Sequence, residues 1–492
     1  MKILFINPPD EYTIVEYQDE NGEGFLESDD YGCFPPLGLL YVLSYLEQHT
    51  IGHEIFFKDC IAERISHADL PGIIGAIQPD IVGITSFTIS LIDVVKTART
   101  ARDVVPNAHI CLGGHHPIAF PMEAVQLKEF DSIVVGEGEI AFTELVEALR
   151  TGKEFTGITG VYTRESIQKW KETTFRDRKF LGTVVVPPAY IEDIESLPFP
   201  NRRYIRHIDY HSAVGISGKL ATIISSRGCP YKCTFCDVPF KSYRARSPGS
   251  VLDEVHECLE LGYKEFHFYD DLFNITDEKV LAFCNELERR NMRFTWDFRG
   301  RVNSVTYESL KRMKRAGCRM ISFGVETGSD AGLKALKKGT TTEQVRKVFR
   351  WCRELGIITI ADFIIGLPFE RSPADIAVSI NFLLELDPDY AQVGILNLYP
   401  NTPLFDEAVS KGLIDPQRWR DFSLDPKLGF FVDHWEEHIS ALELVRMQRQ
   451  AYRRFYLRPR WILRSILTIR TLHEFKMKVS GGLQILGIRS FF

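Results

Sequence analysis

Short apolar runs rich in β-branched residues alternate with helix-length segments along most of this 492-residue chain, and that rhythm restricts the fold more than any other feature. Lys2–Ile6, His53–Phe57, Asp80–Thr85, His109–Leu112 and Ser132–Val135 read as strands, each ending in turn residues such as Asn7-Pro8-Pro9, Asp59, Ser86, Gly113-Gly114 and Gly136-Glu137-Gly138. Helical patterns such as Leu37–Gln48 and Leu91–Val104 lie between them. Continuous apolar strands joined by helices imply a parallel sheet covered on both faces. Residues 1–150 are therefore expected to form a doubly wound α/β domain, with a ligand site at the carboxyl ends of its strands.

Residues 151–215 interrupt the alternation. Val185-Val186-Pro187-Pro188 and Leu197-Pro198-Phe199-Pro200 predict an extended connector. Strands then resume near Ala221–Ser225, Glu265–Tyr269, Arg293–Trp296, Met320–Val325, Ile357–Ile365 and Tyr390–Asn397, separated by helices such as Ser250–Leu261, Asp277–Arg290 and Thr342–Leu355. Six βα units over 216–405 fit a partial (β/α)6 barrel, shorter than the ~250 residues of the closed eightfold form. Residues 406–492 are expected as a helical, basic C-terminal extension. Ten cysteines among 492 residues are too few for a disulfide scaffold. No apolar run is long enough to span a bilayer, and the first ten residues lack a signal peptide's core, so a cytoplasmic chain is expected.

Three of those cysteines stand together in Ser226-Arg227-Gly228-Cys229-Pro230-Tyr231-Lys232-Cys233-Thr234-Phe235-Cys236, directly after a strand. Thiolates are the soft ligands that iron–sulfur clusters use. An electron-transfer cluster normally takes four cysteines, and structural zinc four ligands. Cys258 is the next cysteine and falls inside a helical pattern. Zinc would need another donor, and adjacent Asp237 would strain a shared tetrahedron. Simple packing rarely places three thiols in one Gly- and Pro-flanked loop. A cubane held by three thiolates, with one iron left open, is the reading that fits.

This loop resembles the radical SAM signature CxxxCxxC, whose aromatic before the last cysteine is Phe235 here. The resemblance covers about 220–400 and implies a [4Fe–4S] cluster whose open iron chelates S-adenosylmethionine and cleaves it after one-electron reduction. It further implies that Asp270 and Asp271, after the second barrel strand, hold the methionine ammonium and that Arg299, after the third, pairs with its carboxylate. Glu326 in Gly324-Val325-Glu326-Thr327-Gly328 resembles the family's ribose- or methionine-contacting acid. Gly366-Leu367-Pro368-Phe369-Glu370 resembles the segment lining the adenine, with Phe369 where a small residue is usual. Tyr399-Pro400-Asn401-Thr402-Pro403-Leu404 resembles the sixth strand end. Strand ends are where barrel sites lie, which favours these residues over ordinary surface charges.

The N-terminal loops Gly83-Ile84-Thr85-Ser86, Gly113-Gly114-His115-His116-Pro117 and Gly136-Glu137-Gly138-Glu139 offer small residues at strand ends, where backbone approaches a bulky ligand. With the cysteine motif, this layout resembles cobalamin-binding radical SAM enzymes over nearly the whole chain, and Thr85, Ser86, Gly113, Gly114, His115, Gly136 and Glu137 are the implied cobalamin contacts. The family's Asp-x-His-x-x-Gly loop would fall at Asp59-Cys60-Ile61-Ala62-Glu63-Arg64, which holds no histidine. Base-off cobalamin without a protein histidine is expected; His115 and His116 read as turn-shaping residues, and Cys33, Cys60 and Cys111 as packed thiols.

Net charge is −7, yet Arg446–Phe492 carries eleven Lys/Arg and one acid, Glu474. An acidic body with a basic tail argues against nucleic acid and for one local anionic contact. In Tyr452–Arg470, Pro459 can open a helix with Ile462, Ile466 and Ile469 on one face and Arg460 and Arg464 on another. Such a segment suits an anionic membrane surface, or packs on the body with its arginines in salt bridges. The resemblance implies a C-methyltransferase acting on an sp³ carbon of a small-molecule, lipid or tetrapyrrole substrate, fed by a flavodoxin- or ferredoxin-type electron donor. An oxidative ring cyclase of the anaerobic Mg-protoporphyrin ester type is the enzymatic alternative, and a cluster- or cobalamin-binding sensor the non-catalytic one. Nothing resembles the N-terminal domain or RNA-binding appendage of a methylthiotransferase.

Overall fold

The computed structural model describes residues 1–14, 32–166, 186–212, 214–216 and 219–467, with the backbone of 17–18 and 24–25. Val185 of the connector, and Ile469 and Arg470 of the tail, lie outside the described residues. The chain divides into two units, Met1–Val15 with Pro35–Asp209 and Val409–Phe431, and Glu16–Phe34 with Tyr210–Ala408 and Val432–Phe492. The boundaries expected at 150, 215 and 405 are sequential; these units are not.

In the first unit, β1 (Lys2–Asn7), β2 (Glu54–Asp59), β3 (Ile81–Ser86), β4 (His109–Gly114), β5 (Ser132–Val134) and β6 (Val161–Tyr162) form one sheet in the order β2-β1-β3-β4-β5-β6. All neighbours are parallel except β5 and β6. The order reverses between β1 and β3, which is where a doubly wound sheet opens its ligand crevice. Helices α1 (Leu37–His49), α2 (Leu70–Ile77), α3 (Leu91–Val104) and α4 (Gly138–Thr151) connect the strands, and Leu40, Leu43, Val94, Ala98 and Leu145 are fully buried on them.

In the second unit, β7 (Leu220–Ile223), β8 (Glu265–Phe268), β9 (Thr295–Gly300), β10 (Cys318–Glu326), β11 (Ile358–Ile365) and β12 (Tyr390–Ile395) pair in parallel, each beside its predecessor. This is the sequential order of a (β/α) barrel, with β7 and β12 as the edges of an open ring. Helices α5 (Pro248–Glu260), α6 (Asp277–Arg289), α7 (Tyr307–Arg315), α8 (Thr342–Leu355) and α9 (Pro373–Leu386) connect the strands. Their starts are written locally. Ser247 accepts from the Ser250 N–H ahead of Pro248, Thr276 accepts from Lys279, and Thr341 with Gln344 forms a capping box.

Alternation along the strands separates two layers. Phe266, Phe268, Trp296, Phe298, Ile321 and Phe323 pack in one apolar cluster with Leu252, Val280, Phe283 and Val348 of the helices. The intervening residues face inward, where Val214, Met320 and Ile360 form a small apolar cluster with Ile358 and Tyr390. Helices α10 (Ala441–Tyr456) and α11 (Pro459–Leu467) follow; Tyr452 and Tyr456 of α10 donate hydroxyl hydrogen bonds to β12 carbonyls. Among the described residues no helix is long and apolar enough to cross a membrane.

Candidate active site at the end of the first barrel strand

The loop after β7 is held from below by two carboxylates. Asp270 is buried and accepts three hydrogen bonds, from the Ser225 N–H at 2.7 Å, the Ser225 hydroxyl at 2.5 Å and the Ser226 hydroxyl at 2.6 Å. Asp271 accepts from the Gly228 N–H at 2.8 Å, immediately before Cys229. Both acids, expected to meet a methionine ammonium, therefore spend hydrogen-bonding capacity on the shape of the cysteine loop. The loop is pinned further where Cys229 N–H donates to Phe240 O at 3.1 Å and Thr234 N–H to Leu336 O at 3.2 Å.

Cys233 is buried, and Cys229 and Cys236 are half-buried. Burial pushes the Cys229 thiol up, with Cys233 and Asp271 adding to it, while the Tyr231 backbone N–H and Arg301 oppose. The Cys236 thiol is raised chiefly by burial as well. Among the described residues no three His, Cys, Asp or Glu side chains converge as a single metal ion requires. Three thiols on one short loop fit a cluster instead, since each would take a different iron.

Arg301, which the sequence reading passed over, reaches this loop. Its Nη1 lies 3.6 Å from Cys233 Sγ, and its guanidinium carbon sits 3.8 Å above the Tyr231 ring. Asn274 grips its backbone from both sides, accepting from Arg301 N–H at 3.0 Å and donating to its carbonyl at 2.8 Å. Arg299, two residues earlier, belongs to β9 rather than to the turn after it and lines the barrel interior. The signal was the Arg-x-Arg spacing: alternate strand positions share a face, so one arginine reaches farther along the axis than the other.

At the end of β10, Glu326 has φ +67°, a left-handed backbone that a non-glycine residue adopts at some cost. It forms a buried ion pair with Lys338, whose Nζ is 5.9 Å from the Phe235 ring centre. Gly366 stands against Leu444 of α10, where a Cβ would lie 2.8 Å from Leu444 Cδ1.

The barrel interior beyond this rim mixes polar with apolar side chains. His267 Nδ1 pairs with Asp297, and the Ser322 hydroxyl donates to Asp362 at 2.6 Å. Phe34 stacks on His267 at 5.5 Å and 29°. His267, Asp297, Arg299 and Ser322 line one cavity, closed by Val214, Met320 and Ile360. Barrel interiors of this kind are ordinarily filled by branched apolar residues, so a titratable pair here needs a reason.

In the first unit, Ser86 donates to Gly113 O at 2.7 Å, and Gly114 follows with φ +92°. A Cβ on Gly114 would lie 2.5 Å from Ser86 O and 2.9 Å from Thr85 Oγ1, so β3 and β4 close together only on glycine. Gly136 at φ +104° and Glu137 are used differently. A Cβ on Gly136 would meet Ala189 O at 2.2 Å, and Glu137 accepts from the Ile191 N–H at 2.7 Å, so both seat the connector. His115 is exposed and stacks on Phe87 at 5.2 Å and 17°. His116 is fully buried, within hydrogen-bonding distance of Thr88 Oγ1 at 3.1 Å, and burial drops its pKa to about 3. Burial pushes Cys60 and Cys111 up to about 12, as packed thiols should behave. Cys33 is half-buried.

Comparison with known proteins gives two family matches. Residues 223–379 match the Radical SAM superfamily and residues 29–146 the B12 binding domain. An uncharacterized methyltransferase of Pyrococcus horikoshii is 30% identical over 474 residues, covering 95% of each chain. An anaerobic magnesium-protoporphyrin IX monomethyl ester cyclase of Cereibacter sphaeroides is 29% identical over 439 residues, 87% of this chain and 68% of that one. Among solved structures, the cobalamin-dependent S-adenosylmethionine radical enzyme OxsB with aqua-cobalamin bound superposes with a TM-score of 0.70 at 17% identity, over 99% of this chain and 71% of that one.

Proposed function

Because the chain belongs to the B12-binding radical SAM enzymes, we propose that it methylates an unactivated sp³ carbon of a small-molecule, lipid or tetrapyrrole substrate bearing hydrogen-bonding groups. Its cofactors are a [4Fe–4S] cluster, S-adenosylmethionine and cobalamin. Bound together, these supply one-electron cleavage of the sulfonium, hydrogen abstraction from carbon and a transferable methyl group. The chain supplies ligands, orientation and exclusion of water.

In this reading Cys229, Cys233 and Cys236 hold the cluster, and Phe235 shields it beside Lys338. Asp270 and Asp271 fix the loop that carries them. Glu326, already ion-paired with Lys338, presents its strained strand end to the sulfonium's ribose or methionine portion, and Gly366 brings the fifth strand end close to α10. Thr85, Ser86, Gly113 and Gly114 form a close-packed edge for cobalamin, with exposed His115 on its Phe87 shelf; Gly136 and Glu137 act through the connector they seat.

The observation that carries the substrate class is the His267–Asp297 pair in the barrel interior. Asp297 engages Nδ1, and Nε2 makes no hydrogen bond among the described residues, so the ring offers that nitrogen to a bound molecule. A purely hydrocarbon substrate would leave it unsatisfied, at a cost of ~1–3 kcal/mol.

The test gives the anaerobically reconstituted enzyme deuteromethyl-labelled S-adenosylmethionine, dithionite and a small-molecule extract of its own cells. A product retaining the label supports methyl transfer. An oxidised, unlabelled product with 5′-deoxyadenosine favours the cyclase reading, which the Cereibacter relative also supports. Absence of 5′-deoxyadenosine favours a sensor. A flavodoxin- or ferredoxin-type protein is the proposed donor in the cell, and the proposed location is the cytoplasm. Helix α11 exposes Ile462, Leu463, Ile466 and Leu467, which supports peripheral membrane contact, although Arg458 and Arg464 are engaged by Asp387. Cosedimentation with phosphatidylserine vesicles, lost when Leu463 and Leu467 become Gln, would support that contact.

A further inference from the structure

Arg301 is 5% exposed, and no carboxylate pairs with it among the described residues. Its Nη2 is buried without a hydrogen-bond partner, and its Nε makes one long bond, 3.3 Å, to Asn303 Oδ1. A buried guanidinium cannot lose its proton, and leaving one without a counter-ion is costly enough that proteins seldom do it. The stack on Tyr231 and the grip of Asn274 hold this one where it is, with Nη1 3.6 Å from Cys233 Sγ.

We propose that the missing counter-ion is the thiolate-bound cluster itself, and that Arg301 sets its reduction potential. Three cysteine thiolates around a [4Fe–4S]²⁺ core carry one net negative charge. One-electron reduction to [4Fe–4S]⁺, by a reduced flavodoxin- or ferredoxin-type donor or by dithionite, makes it two, with no proton transferred and no bond broken. A fixed cation beside a ligand sulfur stabilises the reduced form more than the oxidised one. Hydrogen bonds to cluster sulfurs act in the same direction. Burial matters because salt and water screen such a pair weakly. Arg301 is thus a positioning residue that makes the electron easier to accept. This rests on the cluster reading of Cys229, Cys233 and Cys236, which iron and sulfide analysis tests separately.

The experiment is an EPR-monitored redox titration of the anaerobically reconstituted full-length enzyme, without and with S-adenosylmethionine, for wild type, R301Q and R301K. At four irons per chain, R301Q is expected to lose at least tenfold in the equilibrium constant for cluster reduction, about 59 mV for one electron, already without S-adenosylmethionine. R301K, which keeps the charge but not the planar fork, is expected to fall between. A midpoint unchanged in every variant that assembles four irons overturns the proposal. A shift seen only with S-adenosylmethionine present overturns it too, because the guanidinium's partner is then the sulfonium's carboxylate. Wild-type protein lacking iron and sulfide would sink the cluster reading instead, and with it this inference.

Discussion

Glu370 closes the turn after β11 and is 4% exposed, so changing its charge should register directly in stability. Its Oε2 accepts from the Leu367 N–H at 2.9 Å, while Oε1 is buried with no hydrogen-bond partner among the described residues. Burial, opposed by the Leu367 and Gly366 N–H groups, lifts the carboxyl from its ordinary 4.5 to about 7. A raised carboxyl favours its neutral form in the folded protein. It therefore costs nothing below pH 4.5, where folded and unfolded chains are both protonated. The stability is lost as pH rises through about 7, because only the unfolded chain ionises freely. At about 1.36 kcal/mol per pH unit, the loss is on the order of 3 kcal/mol by pH 8. Glu370→Gln keeps the shape and the acceptor for Leu367 but cannot ionise. Urea unfolding of the apoprotein should give matching midpoints for wild type and E370Q at pH 4, and a more stable E370Q at pH 8. Parallel pH profiles for the two proteins would refute the reasoning, because the carboxyl would then titrate as an exposed one does.

Replacing Cys229, Cys233 or Cys236 singly by Ala should leave less than a full complement of iron after reconstitution and abolish 5′-deoxyadenosine formation, with the cobalamin spectrum unchanged; iron analysis, chromatography and visible spectra check this. Gly114→Val meets both a left-handed backbone and Ser86 O, so it should cost more than ~2 kcal/mol and weaken binding of added hydroxocobalamin at least tenfold, as read by equilibrium dialysis. His116, neutral in its burial, charges only on unfolding as pH falls below its ordinary 6.5, so stability should drop by on the order of 4 kcal/mol towards pH 3. His116→Phe should flatten that acid limb, and an unchanged limb would show that His116 is not its source.

Both sheets were legible in the sequence because parallel strands buried on two faces write themselves as continuous apolar runs. Lys2–Asn7 and Ile358–Ile365 fall within a residue of where their β-branched runs placed them. Helix Thr342–Leu355 coincides with its expected range because Thr341, Gln344 and Gly356 mark both ends locally. The third barrel strand was harder, since Asp297 and Arg299 are polar and the apolar run stops at Trp296. Those polar residues face the barrel interior, and interior polarity is a property of the assembled ring that no local window contains. Arg301 was missed for a related reason: its partners Tyr231, Cys233 and Asn274 are distant in sequence. Glu137 shows the converse. It looked like an open loop residue, and only the backbone of Ile191, brought back by the connector, reveals what it holds.

The return of Val409–Phe431 to the first unit has a practical consequence for anyone wishing to separate the halves. Arg420, within that excursion, is the ion-pair partner of Glu123, whose side chain is 1% exposed. Expressing residues 1–209 alone would remove both that partner and the segment that carries it, leaving the acid unpaired. A dissected first unit will need the downstream fragment supplied in trans or stitched back through a short linker.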